Sequence, residues 1–185
     1  MKKIFLLLAV AGLIFTGCSD LGTNPSSNPV TTSQANTVAL NKISPKTVST
    51  LTTFEVSKNI NGEKGGVIIL NQKSGDIQAF AKLKIPGNTF AGNVNVTILV
   101  DPSTASITLS PSMSFSKDLI LDASFKGLDL KALNLDSKDV DFYYFSEDGA
   151  KVPVKYSWTK SNVKSGELAV KHAYIDHFSR YGWAK

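Results

Sequence analysis

Three stretches of this chain alternate apolar and polar residues with a period of two, and few folds accommodate that pattern. Ile77, Ala79, Ala81, Leu83 and Ile85 alternate with Gln78, Phe80, Lys82 and Lys84. Val94, Val96, Ile98 and Val100 alternate with Asn93, Asn95, Thr97 and Leu99. Leu119, Leu121, Ala123 and Phe125 alternate with Ile120, Asp122, Ser124 and Lys126. Successive side chains of a strand point to opposite faces, so each stretch reads as a strand with one face in a core and the other in water. Turn signals separate the stretches: Asn61-Gly62, Ser74-Gly75-Asp76, Pro86-Gly87-Asn88, Asp148-Gly149 and Ser165-Gly166. This spacing, with no long helical period, predicts an all-β fold, an antiparallel β-sandwich spanning residues 51–185. A hairpin is expected across Asp148-Gly149, joining Asp141–Ser146 to Val152–Trp158, and a single helical turn between Asp129 and Leu135.

Before that domain the composition changes. Residues 18–50 are rich in Ser, Thr, Asn and Pro and have no periodicity. Such a segment cannot bury enough apolar surface to offset its ordering entropy, and it reads as a flexible tether. About 30 residues of this kind reach roughly 30 Å as a coil and about 100 Å fully stretched.

The first 17 residues read as a signal peptide. Met1-Lys2-Lys3 is positively charged, and the twelve residues from Ile4 to Phe15 carry no charge. That run is shorter than the roughly 20 residues a membrane span requires. Phe15-Thr16-Gly17-Cys18 resembles the lipobox of bacterial lipoproteins, with Phe15 where Leu is usual. The resemblance implies cleavage before Cys18 and lipidation of its sulfur by diacylglycerol, with palmitate-like chains as the membrane partner. Two or more acyl chains anchor a protein stably, whereas one does not. Ser19 rather than Asp follows the cysteine, which in enteric-type sorting favours the outer membrane. The expected location is the cell envelope.

Cys18 is the only cysteine. Once it is lipidated the domain has no disulfide, and its core alone must hold it. A domain of this length buries roughly two-thirds of its unfolded surface, enough for one core. Loss of Lys2 and Lys3 lowers the formal charge from +5 to +3. The basic residues are scattered among acids, and no nucleic-acid-binding motif is present, so no nucleic-acid partner is expected. The pattern calls for no cofactor.

Four segments, in order, resemble the ZU-five domain, a β-sandwich of zonula occludens proteins, netrin receptors and ankyrins. They are Ala81-Lys82-Leu83-Lys84-Ile85-Pro86-Gly87-Asn88-Thr89-Phe90, Leu109-Ser110-Pro111-Ser112-Met113-Ser114-Phe115-Ser116-Lys117, Asp141-Phe142-Tyr143-Tyr144-Phe145 with Glu147-Asp148-Gly149, and His177-Phe178-Ser179-Arg180-Tyr181. The resemblance covers about residues 55–185. Phe90 and Asp118 depart from the family's usual Leu and Pro. The resemblance implies fold rather than activity, and such domains mostly serve as interaction or spacer modules. With the expected location, the expectation is a non-catalytic module for interaction, adhesion or spacing, whose partner is an envelope protein or glycan.

In some members of that family the His-Phe-Ser triplet cleaves its own chain. Here that would mean attack of the Ser179 hydroxyl on the Phe178 carbonyl, with His177 as base. The plainer expectation is structural, with Phe178 in the core and His177 or Ser179 bonded to backbone. His172 and His177 lie five apart, which in a regular strand places them on opposite faces, so no shared metal site is expected. The same rule separates Asp176 from His177 and argues against a Ser–His–Asp triad. The acids between Asp136 and Asp141 read as solvated turn residues rather than a calcium loop. Aromatics crowd the C-terminal third, and most are expected in the core. Trp158, Trp183 and Tyr181 are the candidates for stacking on a sugar or a partner protein.

Overall fold

The computed structural model describes residues 53–133 and 136–185. The signal peptide, Cys18 and the tether lie outside the described residues. Eleven strands run as β1 (Phe54–Asn61), β2 (Gly66–Ser74), β3 (Ile77–Ile85), β4 (Asn93–Asp101), β5 (Ser106–Ser110), β6 (Ser114–Lys126), β7 (Asp141–Phe145), β8 (Lys151–Pro153), β9 (Trp158–Asn162), β10 (Glu167–His177) and β11 (Arg180–Ala184). Two short 3-10 turns, Leu130–Leu133 and Ser137–Asp139, lie between β6 and β7. The fold is an all-β sandwich of two antiparallel sheets. The first sheet has six strands in the order β1-β4-β5-β11-β7-β8, and the second has five in the order β2-β3-β6-β10-β9.

The alternating stretches occupy the middle of these sheets. Ile77, Ala79, Ala81, Leu83 and Ile85 of β3 are buried, as are Leu119, Leu121, Ala123 and Phe125 of β6. These two strands pair in register, with Ala81 opposite Ala123 and Leu83 opposite Leu121. In β4, Val96, Ile98 and Val100 are buried, and Ile98 and Val100 stand across from Leu109 and Ile107 of β5. A one-residue slip in any of these ladders would turn an apolar row to water, so burial fixes the register.

The expected Asp148-Gly149 hairpin forms, but it is short. Phe145 pairs with Lys151, and the pairing ends at Tyr143 and Pro153. The chain then leaves the first sheet: Val154–Ser157 crosses over, and Trp158 begins β9 in the second. The crossing is tied at both sides, by Tyr156 Oη donating to Asp141 Oδ1 (2.7 Å) and Tyr174 N donating to the Lys155 carbonyl (2.9 Å).

One backbone approach accounts for a glycine. Gly166, in the β9–β10 turn, has φ +64°, and a Cβ there would lie 2.0 Å from the Leu128 carbonyl oxygen. Leu128 N in turn donates to Gly166 O at 3.1 Å. Only glycine lets the exit of β6 lie directly on that turn.

Trp183 joins the layers. Its ring meets Phe125 of the second sheet edge-on (5.6 Å between centroids) and Phe142 of the first (4.9 Å). It is fully buried, yet its indole Nε1 has no hydrogen-bond partner among the described residues. Trp183→Ala is expected to cost about 3–5 kcal/mol. Trp183→Phe should cost much less, because it keeps a ring in place and removes an unsatisfied donor that itself costs about 1–3 kcal/mol. Urea unfolding of the two variants tests this order.

Candidate functional site

The His-Phe-Ser triplet forms a corner. β10 ends at His177 in the second sheet and β11 begins at Arg180 in the first, so Phe178 and Ser179 alone cross between layers. The crossing is fixed by backbone bonds. Phe178 N donates to the Met113 carbonyl (2.7 Å), and Leu109 N donates to the Ser179 carbonyl (2.9 Å). The Phe178 ring is buried and meets Phe115 edge-on at 4.7 Å. Tyr181 Oη reaches back four residues and donates to the His177 carbonyl (2.7 Å). Each of these bonds satisfies a backbone group that the bend would otherwise leave unpaired.

His177 sits at the end of the sandwich. Its ring meets the ring of Tyr144 edge-on, with centroids 4.4 Å apart, and tilts against Tyr181 at 5.9 Å. Its Nδ1 is 2.5 Å from Asp176 Oδ1. This corrects the expectation that neighbouring residues of the strand cannot meet. The ladder between β10 and β6 is irregular between Ile175 and His177, so strict alternation has lapsed there. The released carboxylate folds along its own backbone to the adjacent ring. Asp176 is largely exposed, and a contact so placed contributes little stability. Among the described residues, no hydrogen bond joins the Ser179 hydroxyl to His177.

The other candidates scatter. His172 is exposed, has φ +50°, and lies in the irregularity between Val170 and Ala173, where its N donates to Asp122 Oδ1 (2.9 Å). No group of three or more His, Cys, Asp or Glu suited to a metal occurs among the described residues. Asp136 caps the second 3-10 turn by accepting from Lys138 N. Asp139 faces Lys185 at 3.3 Å, and Asp141 accepts from Phe142 N and Tyr156 Oη.

Of the three aromatics expected to stack on a partner, two cannot. Trp183 and Tyr181 are core residues, 0% and 1% exposed. The sequence held a signal for this: in Tyr181-Gly182-Trp183-Ala184 aromatic and small residues alternate, as in a strand flanked on both sides within a packed sheet. Trp158 does stand exposed. Tyr174, one of the crowded C-terminal aromatics, is exposed as well, and sequence reasoning missed two further companions: Val67 and Ile69 are also large, apolar and exposed. All four belong to the second sheet. Their signal was the apolar residues standing at outward positions of strands.

No family model, curated protein or solved structure matches the chain.

Two phenols are held neutral. Burial pushes the Tyr181 hydroxyl well above the ordinary tyrosine value, with the charge of Asp176 adding to it. Tyr156 is pushed up to about 12, chiefly by the bond it donates to Asp141. A group whose value is raised on folding gives stability that is whole below the unfolded value near 10 and is lost as pH rises above it. Unfolding free energy should therefore fall from about pH 10 upward. Tyr181→Phe is expected to cost about 0.5–1.5 kcal/mol at neutral pH and to flatten this alkaline decline. Denaturant unfolding at several pH values, with phenolate absorbance followed in parallel, checks both effects.

Proposed function

We propose that the chain is a lipid-anchored protein of the bacterial cell envelope whose non-catalytic β-sandwich binds another envelope component. The single observation that carries the binding role is the grouping of exposed apolar side chains. Among the described residues, five large hydrophobic residues stand exposed: Val67, Ile69, Trp158 and Tyr174 lie on one sheet, and Val152 lies on the other. Clustered exposed apolar surface marks interaction sites, whereas single scattered residues do not. The anchoring role rests on the Thr16-Gly17-Cys18 segment and the run before it. The relation to ZU-five domains is part of the same proposal. Its support is the two-layer antiparallel architecture and the four segments in order, and it brings fold rather than activity.

Self-cleavage between Phe178 and Ser179 is a second reading, favoured by the Asp176 carboxylate on His177 Nδ1. A carboxylate there orients an imidazole as a base, as in hydrolytic triads. Ser179 Oγ would attack the Phe178 carbonyl carbon and the C–N bond would break, leaving an ester and a free Ser179 amine. Water would then release the ester as the Phe178 carboxylate. The seven-residue product, Ser179 to Lys185, contains β11, so it would remain seated in the first sheet under native conditions. Intact mass measured in denaturant after prolonged incubation decides: the non-catalytic reading expects no loss of this peptide, and its appearance would establish cleavage.

For the main reading, Cys18→Ser is expected to move the protein from the membrane fraction to the soluble fraction. That released protein, added back to envelope fragments from its own cells, should still co-sediment with them. Ile69→Asp should remove the co-sedimentation, and Arg180→Gln, on the other sheet, should not. Loss of neither attachment would contradict the proposal.

A further inference from the structure

The outer face of the second sheet carries cations and aromatic side chains in an ordered arrangement. Cross-strand pairing aligns Val67, Lys84, Ile120 and Tyr174 in one row across four strands. The next row holds Ile69, Lys82 and Asp122. A third holds Phe80, opposite Ser124. At the far edge Trp158 lies across from Lys171, whose ammonium sits 5.9 Å from the Phe80 ring centroid. The buried partners of these residues, such as Leu83, Leu121 and Val170, occupy the alternate positions and fix which face is outside.

The charge on this face leans positive, although Asp118 of β6 and Asp176 of β10 also stand exposed at its outward positions. Asp122 is already engaged by His172 N at 2.9 Å and lies 3.8 Å from Lys171. Glu167 is paired with Lys160 at 2.6 Å. Among the described residues, Lys82, Lys84 and Lys126 enter no ion pair. The first sheet also sets cations over rings, Lys151 at 5.4 Å from Tyr143 and Arg180 at 4.9 Å from Phe145, but Tyr143 is half-buried and Phe145 buried, and its outward positions over β1, β4 and β5 include Ser57 and Thr97, bonded to each other, and Thr108. Adjacent strands lie about 4.8 Å apart, so the five strands span roughly 19 Å.

From these observations we infer that the outer face of the second sheet binds an acidic polysaccharide, with sugar rings stacked on Trp158 and Tyr174 and carboxylates meeting Lys82 and Lys84. The inference rests on the interaction reading above and names its ligand class. Aromatic rings offer flat apolar surface to the C–H faces of sugars, and ammonium–carboxylate bonds are charge-assisted. The arrangement disfavours a bilayer. Lys84 stands between Val67 and Ile120, and Lys82 between Ile69 and Asp122, so pressing the face into acyl chains would bury charged groups at high cost. A hydrated chain that alternates apolar ring faces with carboxylates has no such penalty.

The test uses the full-length protein in neutral detergent, with de-esterified polygalacturonate as the probe and dextran as the neutral control. Affinity electrophoresis should show retardation by polygalacturonate and none by dextran, and the retardation should weaken with added salt. Trp158→Ala is expected to weaken binding at least about fivefold, as for a buried aromatic anchor. The double variant Lys82→Gln/Lys84→Gln should weaken it and lessen the salt dependence. Lys151→Gln, on the first sheet, should bind as the parent does. Unfolding midpoints confirm that each variant is folded. Equal retardation by dextran, insensitivity to Trp158→Ala, or equal binding to oligothymidylate or phosphatidylglycerol vesicles would overturn the inference. A dimer that forms on this face and is lost in Trp158→Ala would also overturn it. If polygalacturonate fails while envelope co-sedimentation persists, the ligand class is wrong and the interaction reading stands. If both fail, the interaction reading falls as well.

Discussion

The last strand of the chain is an interior strand, and the six-stranded sheet depends on it. β11 lies between β5 and β7, pairing Tyr181 with Ile107 on one side and with Tyr144 on the other. Without it β7 and β8 have no hydrogen-bonded connection to β1, β4 and β5. The same five residues supply Tyr181 and Trp183, whose rings pack against both layers. The structure is therefore closed from its C-terminal end, by contacts distant in sequence. Pairings of that kind must meet their loop-closure entropy before they return any stability, which makes such topologies slow to fold. The corner ahead of β11 fits this role. Its backbone bonds to Met113, Leu109 and Tyr181 fix where the final strand enters the sheet.

The two layers have different surfaces. Their inner faces are alike, built from Leu, Ile, Val, Ala and aromatic rings. Their outer faces are not. The first sheet turns Asn95, Thr97, Leu99 and Thr108 outward over β4 and β5, polar but for Leu99. The second mixes lysine with Val67, Ile69, Phe80 and Tyr174. Core packing explains neither choice, since outward residues contribute little to stability. A solvated sheet left alone would do well with the first kind of surface. The second kind carries exposed apolar area on an edge strand, β2, which is a liability for self-association. Lys73 and Lys84 at the ends of that edge pair oppose stacking of copies by repulsion.

Much of the fold was legible because burial imposes a period of two. β3, β4 and β6 could be read residue by residue, and their buried sets match the alternating ones except at Val94, which is half-buried at the start of β4. What escaped was any event that breaks the period. The irregularities at Val170–Ala173 and Ile175–His177 changed which side chains meet, and so brought Asp176 to His177. A register shift depends on the partner strand, and no local pattern in β10 announces it. Sheet assignment escaped for the same reason. Val152 and Trp158 looked like one strand, but the chain changes layers between them, at a point set by Tyr156 and its bond to Asp141.

The aromatics show how the candidate site divides. Trp158, Trp183 and Tyr181 are chemically similar and all lie in the C-terminal third of the sequence, yet one is a surface group and two are core. Composition cannot separate them; the company of each residue can. Tyr181 and Trp183 alternate with Gly182 and Ala184, and Gly182 admits close approach of the Ala105 carbonyl, 2.7 Å from where a Cβ would stand. Small residues on the outward phase mark a strand crowded on both faces. Trp158 precedes Thr159, Lys160, Ser161 and Asn162, polar residues of an edge strand with water on one side. An aromatic residue at the start of such a strand gains little by staying exposed unless something covers it. With Lys171 opposite and Tyr174 further along the neighbouring strand, the covering group is best matched by a partner that has both flat apolar faces and negative charge.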